Sequence, residues 1–152
     1  MLAASHPLFV PLAMFVGALV ACQPGINGQL GRRLGSPVQA SVVSFSIGAL
    51  ALMALCLAME RRLPRPGLVL AQPWWMALGG GLLGATFVTS ALIVAPRIGA
   101  TLFFALVVAG QMLGALVLDH YGWLGFAQHA ISWPRVVGVA LVIGGVLLIS
   151  NA

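Results

Sequence analysis

The chain has 152 residues, of which 61% are hydrophobic and 6% charged, and its formal net charge is +5. A soluble domain needs a charged surface to face water, so this composition excludes that class. All seven basic residues are arginines at the ends of apolar runs, which predicts interfacial anchors and topology signals and no nucleic-acid partner.

Five apolar runs occupy approximately residues 8–30, 38–59, 74–95, 99–118 and 133–150. Each is close to the roughly 20 residues that a helix needs to cross about 30 Å of hydrocarbon. The connections between them are short and rich in Gly, Pro and Arg. We therefore expect an all-α integral membrane protein, a bundle of five transmembrane helices in one domain over residues 1–152, surrounded by the lipid bilayer.

The arginines divide almost evenly between the two sides of the membrane. If all five runs span, four arginines lie on the side of the N-terminus and three on the other side. An excess of Lys and Arg on one side normally sets the orientation, and a four-to-three division gives almost no excess. We therefore expect dual topology and an antiparallel homodimer, with an oppositely oriented paralogue as the alternative partner.

Span one contains a proline in mid-membrane, Pro24, followed by Gly25. Proline lacks the N–H that would bond to the carbonyl of Val20, and its ring crowds that carbonyl, so the helix should kink or open there. Discontinuous helices in lipid face protein or a water-filled cavity, so this helix break is a pointer to a binding site. An ordinary proline kink is the other interpretation.

Three amide side chains lie deep in the spans: Gln23, Asn27 and Gln111. Gln23 and Asn27 are four residues apart and share a helix face. An amide has two donor hydrogens and two acceptor lone pairs, which its own helix cannot satisfy. The alternatives are an interhelical hydrogen bond or a polar pocket, and we predict a substrate-binding pocket.

Further substrate-binding candidates lie in span three: Trp75, Thr86 and Ser90. Thr86 and Ser90 share one face of the span, but hydroxyls in helices commonly bond back to a carbonyl one turn earlier. That local bond is the favoured interpretation for these two residues.

Small residues recur at helical spacing and predict faces where backbones approach closely, because helices in lipid associate through van der Waals contact. The predicted packing residues are Gly17, Ala21 and Gly28 in span one, Gly80 and Gly84 in span three, Gly110 and Gly114 in span four, and Gly138 and Gly145 in span five.

Ionisable groups are too few for catalysis. The only carboxylates, Glu60 and Asp119, lie at span ends, and Cys22 and Cys56 fall within apolar runs. Asp119 and its neighbour His120 could be drawn as a metal site with His129, but metal sites usually need more ligands at better spacing. We predict no catalytic residue, no metal and no cofactor, and a protein that is not an enzyme.

Several stretches resemble the YdcZ-like branch of the drug/metabolite transporter superfamily. They are QPGINGQLGRRLGSP at 23–37, PWW and LGGGLLGA within 73–85, APRIGATLFFALVVAGQMLGALVLDHYGWLG at 95–125 and RVVGVALVIGGVLLI at 135–149. The resemblance implies a half-size, five-helix transporter of a small solute in the bacterial inner membrane. It does not imply a substrate. The related small multidrug resistance proteins rely on a carboxylate in the first helix, which span one lacks.

The sequence thus predicts a half-size inner-membrane transporter that works by alternating access as an antiparallel homodimer. The amides offer hydrogen bonds without fixed charge, so we expect a small polar solute, neutral or zwitterionic. A dual-topology channel and a non-transporting membrane subunit are the alternatives.

Overall fold

The computed structural model describes residues 8–151, and every regular element in that range is helical. Five helices are long and apolar enough to cross a membrane: α1 (Phe9–Leu34), α2 (Pro37–Glu60), α4 (Trp74–Ile98), α5 (Ala100–Tyr121) and α6 (Trp133–Ser150). A five-residue helix, α3 (Pro66–Leu70), and a 3₁₀ turn, Trp123–Gly125, lie in the connections. The predicted all-α fold with five spans is confirmed.

Most of these helices continue beyond the apolar runs that predicted them. α1 extends through the two arginines at 32 and 33 and ends at Leu34. The next residue, Gly35, has a φ of +73° and donates its N–H to the carbonyl of Gly31. Ser36 is extended, and its hydroxyl accepts a hydrogen bond from the N–H of Gln39, so α2 begins immediately at Pro37. Glycine tolerates the left-handed turn and proline suits the first helical position, which explains the two-residue connection.

The chain divides into two compact units, one up to residue 96 and one from residue 97. In the first unit, α1 and α2 form an antiparallel hairpin. Ala40 of α2 is fully buried and clusters with Val88 and Leu92 of α4, while Leu30 of α1 packs against this cluster. Three helices therefore meet around Ala40.

Close approach in the first unit depends on two glycines. A Cβ on Gly31 would lie 3.4 Å from the Cα of Pro37 and 3.6 Å from the Cβ of Ala40, so the two arms of the hairpin come together there. A Cβ on Gly84 would lie 3.4 Å from the ring of Phe45, which joins α4 to α2. Such contacts matter because lipid supplies no hydrophobic force between helices.

The predicted packing stripes are only partly used within the chain. Gly84 and Gly28 have neighbours from other helices, Phe45 and Pro96 respectively. Ala21 is exposed. At the six other glycines of these stripes an added Cβ would meet open space: Gly17, Gly80, Gly110, Gly114, Gly138 and Gly145. For these residues the packing role stays a prediction, because spacing defines a face without saying what lies opposite it. Contact with a second copy stays a prediction.

The second unit is the α5–α6 hairpin, closed by a loop that folds back on the end of α5. Arg135 at the start of α6 pairs with the carboxylate of Asp119 at 3.2 Å, and the N–H of His129 donates to the Asp119 carbonyl at 2.7 Å. The Nδ1 of His120 accepts the N–H of Ile131 at 3.3 Å. Asp119, His120 and His129 thus hold this loop together.

Candidate functional site

Asn27 lies at the contact between α1 and α2. Pro24, Asn27 and Gly31 are the buried residues of α1, and their spacing of three and four places them on one face of the helix. The Asn27 side chain is 7% exposed, and its Nδ2 donates a hydrogen bond of 3.0 Å to the hydroxyl of Ser44 in α2. The interhelical bond, one of the two alternatives for this amide, is therefore present.

That bond uses one hydrogen of the Asn27 amide. No donor among residues 8–151 bonds to its carbonyl oxygen, Oδ1. An amide oxygen can accept two hydrogen bonds, so Asn27 keeps acceptor capacity after bonding to Ser44. Ser44 fixes the orientation of the amide, which is what a binding site needs from its supporting residues.

Gln23 lies one turn before Asn27 and lines the same groove. The amide groove, as we call it, has a volume of about 300 Å³ and is lined by Leu19, Val20, Gln23, Ile26 and Asn27. Gln23 is half-buried, and its side-chain amide has no hydrogen-bond partner among residues 8–151. The structure thus places the two amides of span one together, as their spacing predicted. All five lining residues belong to α1, so the groove is open along one side of that helix.

Pro24 does not open the helix. It is buried, and α1 runs through Pro24 and Gly25 without interruption. The predicted helix break at Pro24 and Gly25 is therefore absent. Of the two interpretations of Pro24, the ordinary proline kink is the one that fits a continuous helix. Missing one N–H costs a single backbone hydrogen bond, which a helix of 26 residues tolerates when the proline packs against its neighbours.

A second polar contact joins α2 to α4. The hydroxyl of Thr89 donates to the hydroxyl of Ser41 at 3.1 Å, and Ser41 in turn donates to the carbonyl of Pro37 at 3.1 Å. Ser41 is 6% exposed. Sequence reasoning missed Ser41, Ser44 and Thr89, because hydroxyls inside helices were expected to bond locally. The spacing of Ser41 and Ser44, three residues apart on one face, was the available signal.

The candidates of span three lie elsewhere. Thr86 is exposed and donates to the carbonyl of Leu82 at 2.9 Å, the local bond that was favoured for it. Ser90 and Trp75 are also exposed, and neither lines the amide groove. The structure does not bring these three residues to Gln23 and Asn27.

Gln111 belongs to the second unit and is exposed on α5. It is not among the residues that line the amide groove. That it completes a pocket with Gln23 and Asn27 stays a prediction.

The chain is similar to known membrane proteins over nearly all its described length. A family model described as "Putative inner membrane exporter, YdcZ" matches residues 8–148. The inner membrane protein YdcZ of Escherichia coli (strain K12) is 33% identical over 81 residues, which are 53% of this chain and 54% of that protein. The match thus spans about half the length of this curated relative. No solved structure matches the chain.

Proposed function

Because the chain belongs to the YdcZ family, whose model covers residues 8–148, we propose that it is a half-size transporter of a small polar solute. The membership confirms the resemblance inferred from the sequence. With five helices able to span a bilayer, the chain is a multi-pass protein of the inner membrane. The family description, inner membrane exporter, is the observation that carries the proposal and suggests export as the direction.

The solute would bind in the amide groove. Gln23 and Asn27 offer amide donors and acceptors there, and no charged side chain lines the groove. Neutral amides favour a neutral or zwitterionic solute over a lipophilic cation. Because Ser44 holds the Asn27 amide at 3.0 Å, the amide is oriented before the solute arrives.

The transporting form would be an antiparallel homodimer that works by alternating access. Two features support this proposal: the four-to-three division of the arginines, and a groove whose lining comes from one helix. A second, inverted copy would close the groove and supply an equivalent one related by symmetry. Exchange of conformation between the two copies would then open the site to each side in turn.

Transport by purified protein in liposomes tests the proposal. A thermal-shift screen against small metabolites would first identify solutes that stabilise the protein. Saturable and stereoselective flux of such a solute is the expected result. Unsaturable flux at a very high rate would indicate the channel, and absence of flux would indicate a non-transporting subunit.

A further inference from the structure

A second cavity lies at the turn between α1 and α2. The Arg32 cavity, as we call it, has a volume of about 260 Å³ and is lined by Gly28, Gly31, Arg32, Gly35, Pro37 and Leu92. Arg32 is the one charged residue in this lining. Pockets for drug-sized ligands run from about 300 to 1,000 Å³, so this cavity suits a small group or one end of a solute.

The guanidinium of Arg32 lies back along α1. Side chains of a helix lean towards its N-terminus, so Arg32 points to the residue one turn earlier, Gly28. A Cβ on Gly28 would lie 3.9 Å from Nη1 of Arg32 and 3.9 Å from Cγ of Pro96 in α4. The absence of a side chain at Gly28 therefore leaves space beside the cation, between α1 and α4.

The unit that contains Arg32 has one carboxylate, Glu60, and it lies far from Arg32. The Arg32 side chain makes no ion pair and no hydrogen bond with any of residues 8–151. Glu60 ends α2, and the 24 residues of that helix separate it from the turn by about 36 Å at 1.5 Å per residue. The other carboxylate, Asp119, belongs to the second unit and pairs with Arg135.

An unpaired guanidinium beside a small cavity has a defined ligand chemistry. Its N–H groups form a planar fork that binds two oxygens of a carboxylate or a phosphate at once. We propose that the Arg32 cavity binds such an oxyanion. The oxyanion would be the carboxylate of a transported solute, which rests on the proposed function, or the phosphate of an anionic lipid headgroup, which does not.

Binding is measured on the full chain in dodecylmaltoside micelles, whose headgroups carry no phosphate. The probe is sodium butyrate, with butyramide as its neutral counterpart. The NMR signal of each arginine Nε–H locates the site, and broadening of the butyrate methyl signal measures affinity in variants that lack Arg32. The Arg32 signal is assigned by its loss in Arg32→Gln. Arg33→Gln is the matched control, because Arg33 is adjacent and, like Arg32, exposed, but does not line the cavity.

We expect butyrate, and not butyramide, to shift the Arg32 signal while the Arg33 signal stays in place. Arg32→Gln should weaken butyrate binding by about 5-fold, the strong end of the range for an exposed ion pair. Arg32→Lys should weaken it by less, because the charge remains without the fork. Arg33→Gln should change the affinity for butyrate by less than about 2-fold, because the weakest exposed ion pairs contribute almost nothing.

A second arm separates the two sources of the oxyanion. Dodecylmaltoside micelles that contain phosphatidylglycerol, without butyrate, should shift the Arg32 signal if a lipid phosphate occupies the cavity. A shift with phosphatidylglycerol alone would support the oxyanion site and overturn its assignment to a transported solute. No shift in either arm, or equal shifts at Arg32 and Arg33, would overturn the site. Flux in liposomes is measured separately, so failure of transport would leave this result standing.

Discussion

The amide of Asn27 in α1 donates a hydrogen bond of 3.0 Å to the hydroxyl of Ser44 in α2. The Asn27 side chain thus joins two helices and also lines the amide groove, where its carbonyl oxygen can still accept hydrogen bonds. Interhelical bonding and solute binding, which are alternatives when the sequence is considered alone, are compatible at this residue. Substitution of each partner separates the two contributions.

Asn27→Ala and Ser44→Ala should have different effects. Both remove the same hydrogen bond, worth about 0.6–2 kcal/mol between helices in a membrane, and should lower the thermal stability similarly. Asn27→Ala should in addition weaken solute binding by about 5- to 150-fold, because it leaves the solute group without a partner. Titration of the solute and thermal unfolding in detergent check this, with the exposed Gln29→Ala as control. Equal binding by Asn27→Ala and Ser44→Ala would show that Asn27 has only a packing role.

Gln111→Ala should also weaken solute binding by about 5- to 150-fold, while leaving expression and dimerisation intact. The prediction follows from an amide in mid-span, exposed on α5, that would become part of the solute site in the proposed dimer. Gln23→Ala, on the groove itself, gives the reference value for the same titration. If Gln23→Ala impairs binding and Gln111→Ala does not, the site consists of the amides of α1 without Gln111.

Gly31→Leu should destabilise the fold of the chain, whereas Gly110→Leu should weaken the proposed dimer. A side chain on Gly31 would press on Pro37 and Ala40 and should lower the stability of the chain, since overpacking costs about 1–3 kcal/mol. Gly110 faces open space, so Gly110→Leu should leave the chain folded and weaken the dimer. Size-exclusion chromatography and thermal unfolding distinguish these effects, and Gly25→Leu, also in open space, is the control. An intact dimer in Gly110→Leu would exclude this face from the interface.

The orientation of the chain should respond to the loss of two arginines. Four arginines lie on one side of the membrane and three on the other. If Arg32 and Arg33 are replaced by neutral residues, almost all chains should insert with the Arg61–Arg65 side in the cytoplasm. Reporter fusions at the C-terminus measure the proportion of each orientation. A native chain found in one orientation only would contradict the antiparallel homodimer and require an oppositely oriented partner.

The two termini should lie on opposite sides of the membrane, because five crossings are an odd number. Ala3→Cys and Asn151→Cys, in a version without Cys22 and Cys56, allow accessibility labelling of each end. Residue 3 lies outside the residues that the structure describes. Among chains that share one orientation, labelling of both termini from the same side of the membrane would show that one of the five helices does not cross it.

Several features of the candidate site were predictable and others were not. The spacing of Gln23 and Asn27 was enough to place both on one helix face. The partner of Asn27 was not predictable, because a serine in a helix can bond to its own backbone or across to another helix, and only the position of the neighbour decides. Thr86 takes the local bond and Thr89, three residues later, takes the bond to Ser41.

The sequence by itself determined the class of this protein, the five spans and the family. The reason is that hydrocarbon admits only long apolar segments whose backbone is satisfied internally, so length and hydropathy suffice. The tertiary structure alone decided which glycines bring helices together and which polar groups pair. Gly31 packs and Gly17 does not, although both lie in α1, because packing depends on what stands opposite a face. The cavity beside Arg32 likewise depends on neighbouring helices, because residues of α2 and α4 approach α1 near Gly28.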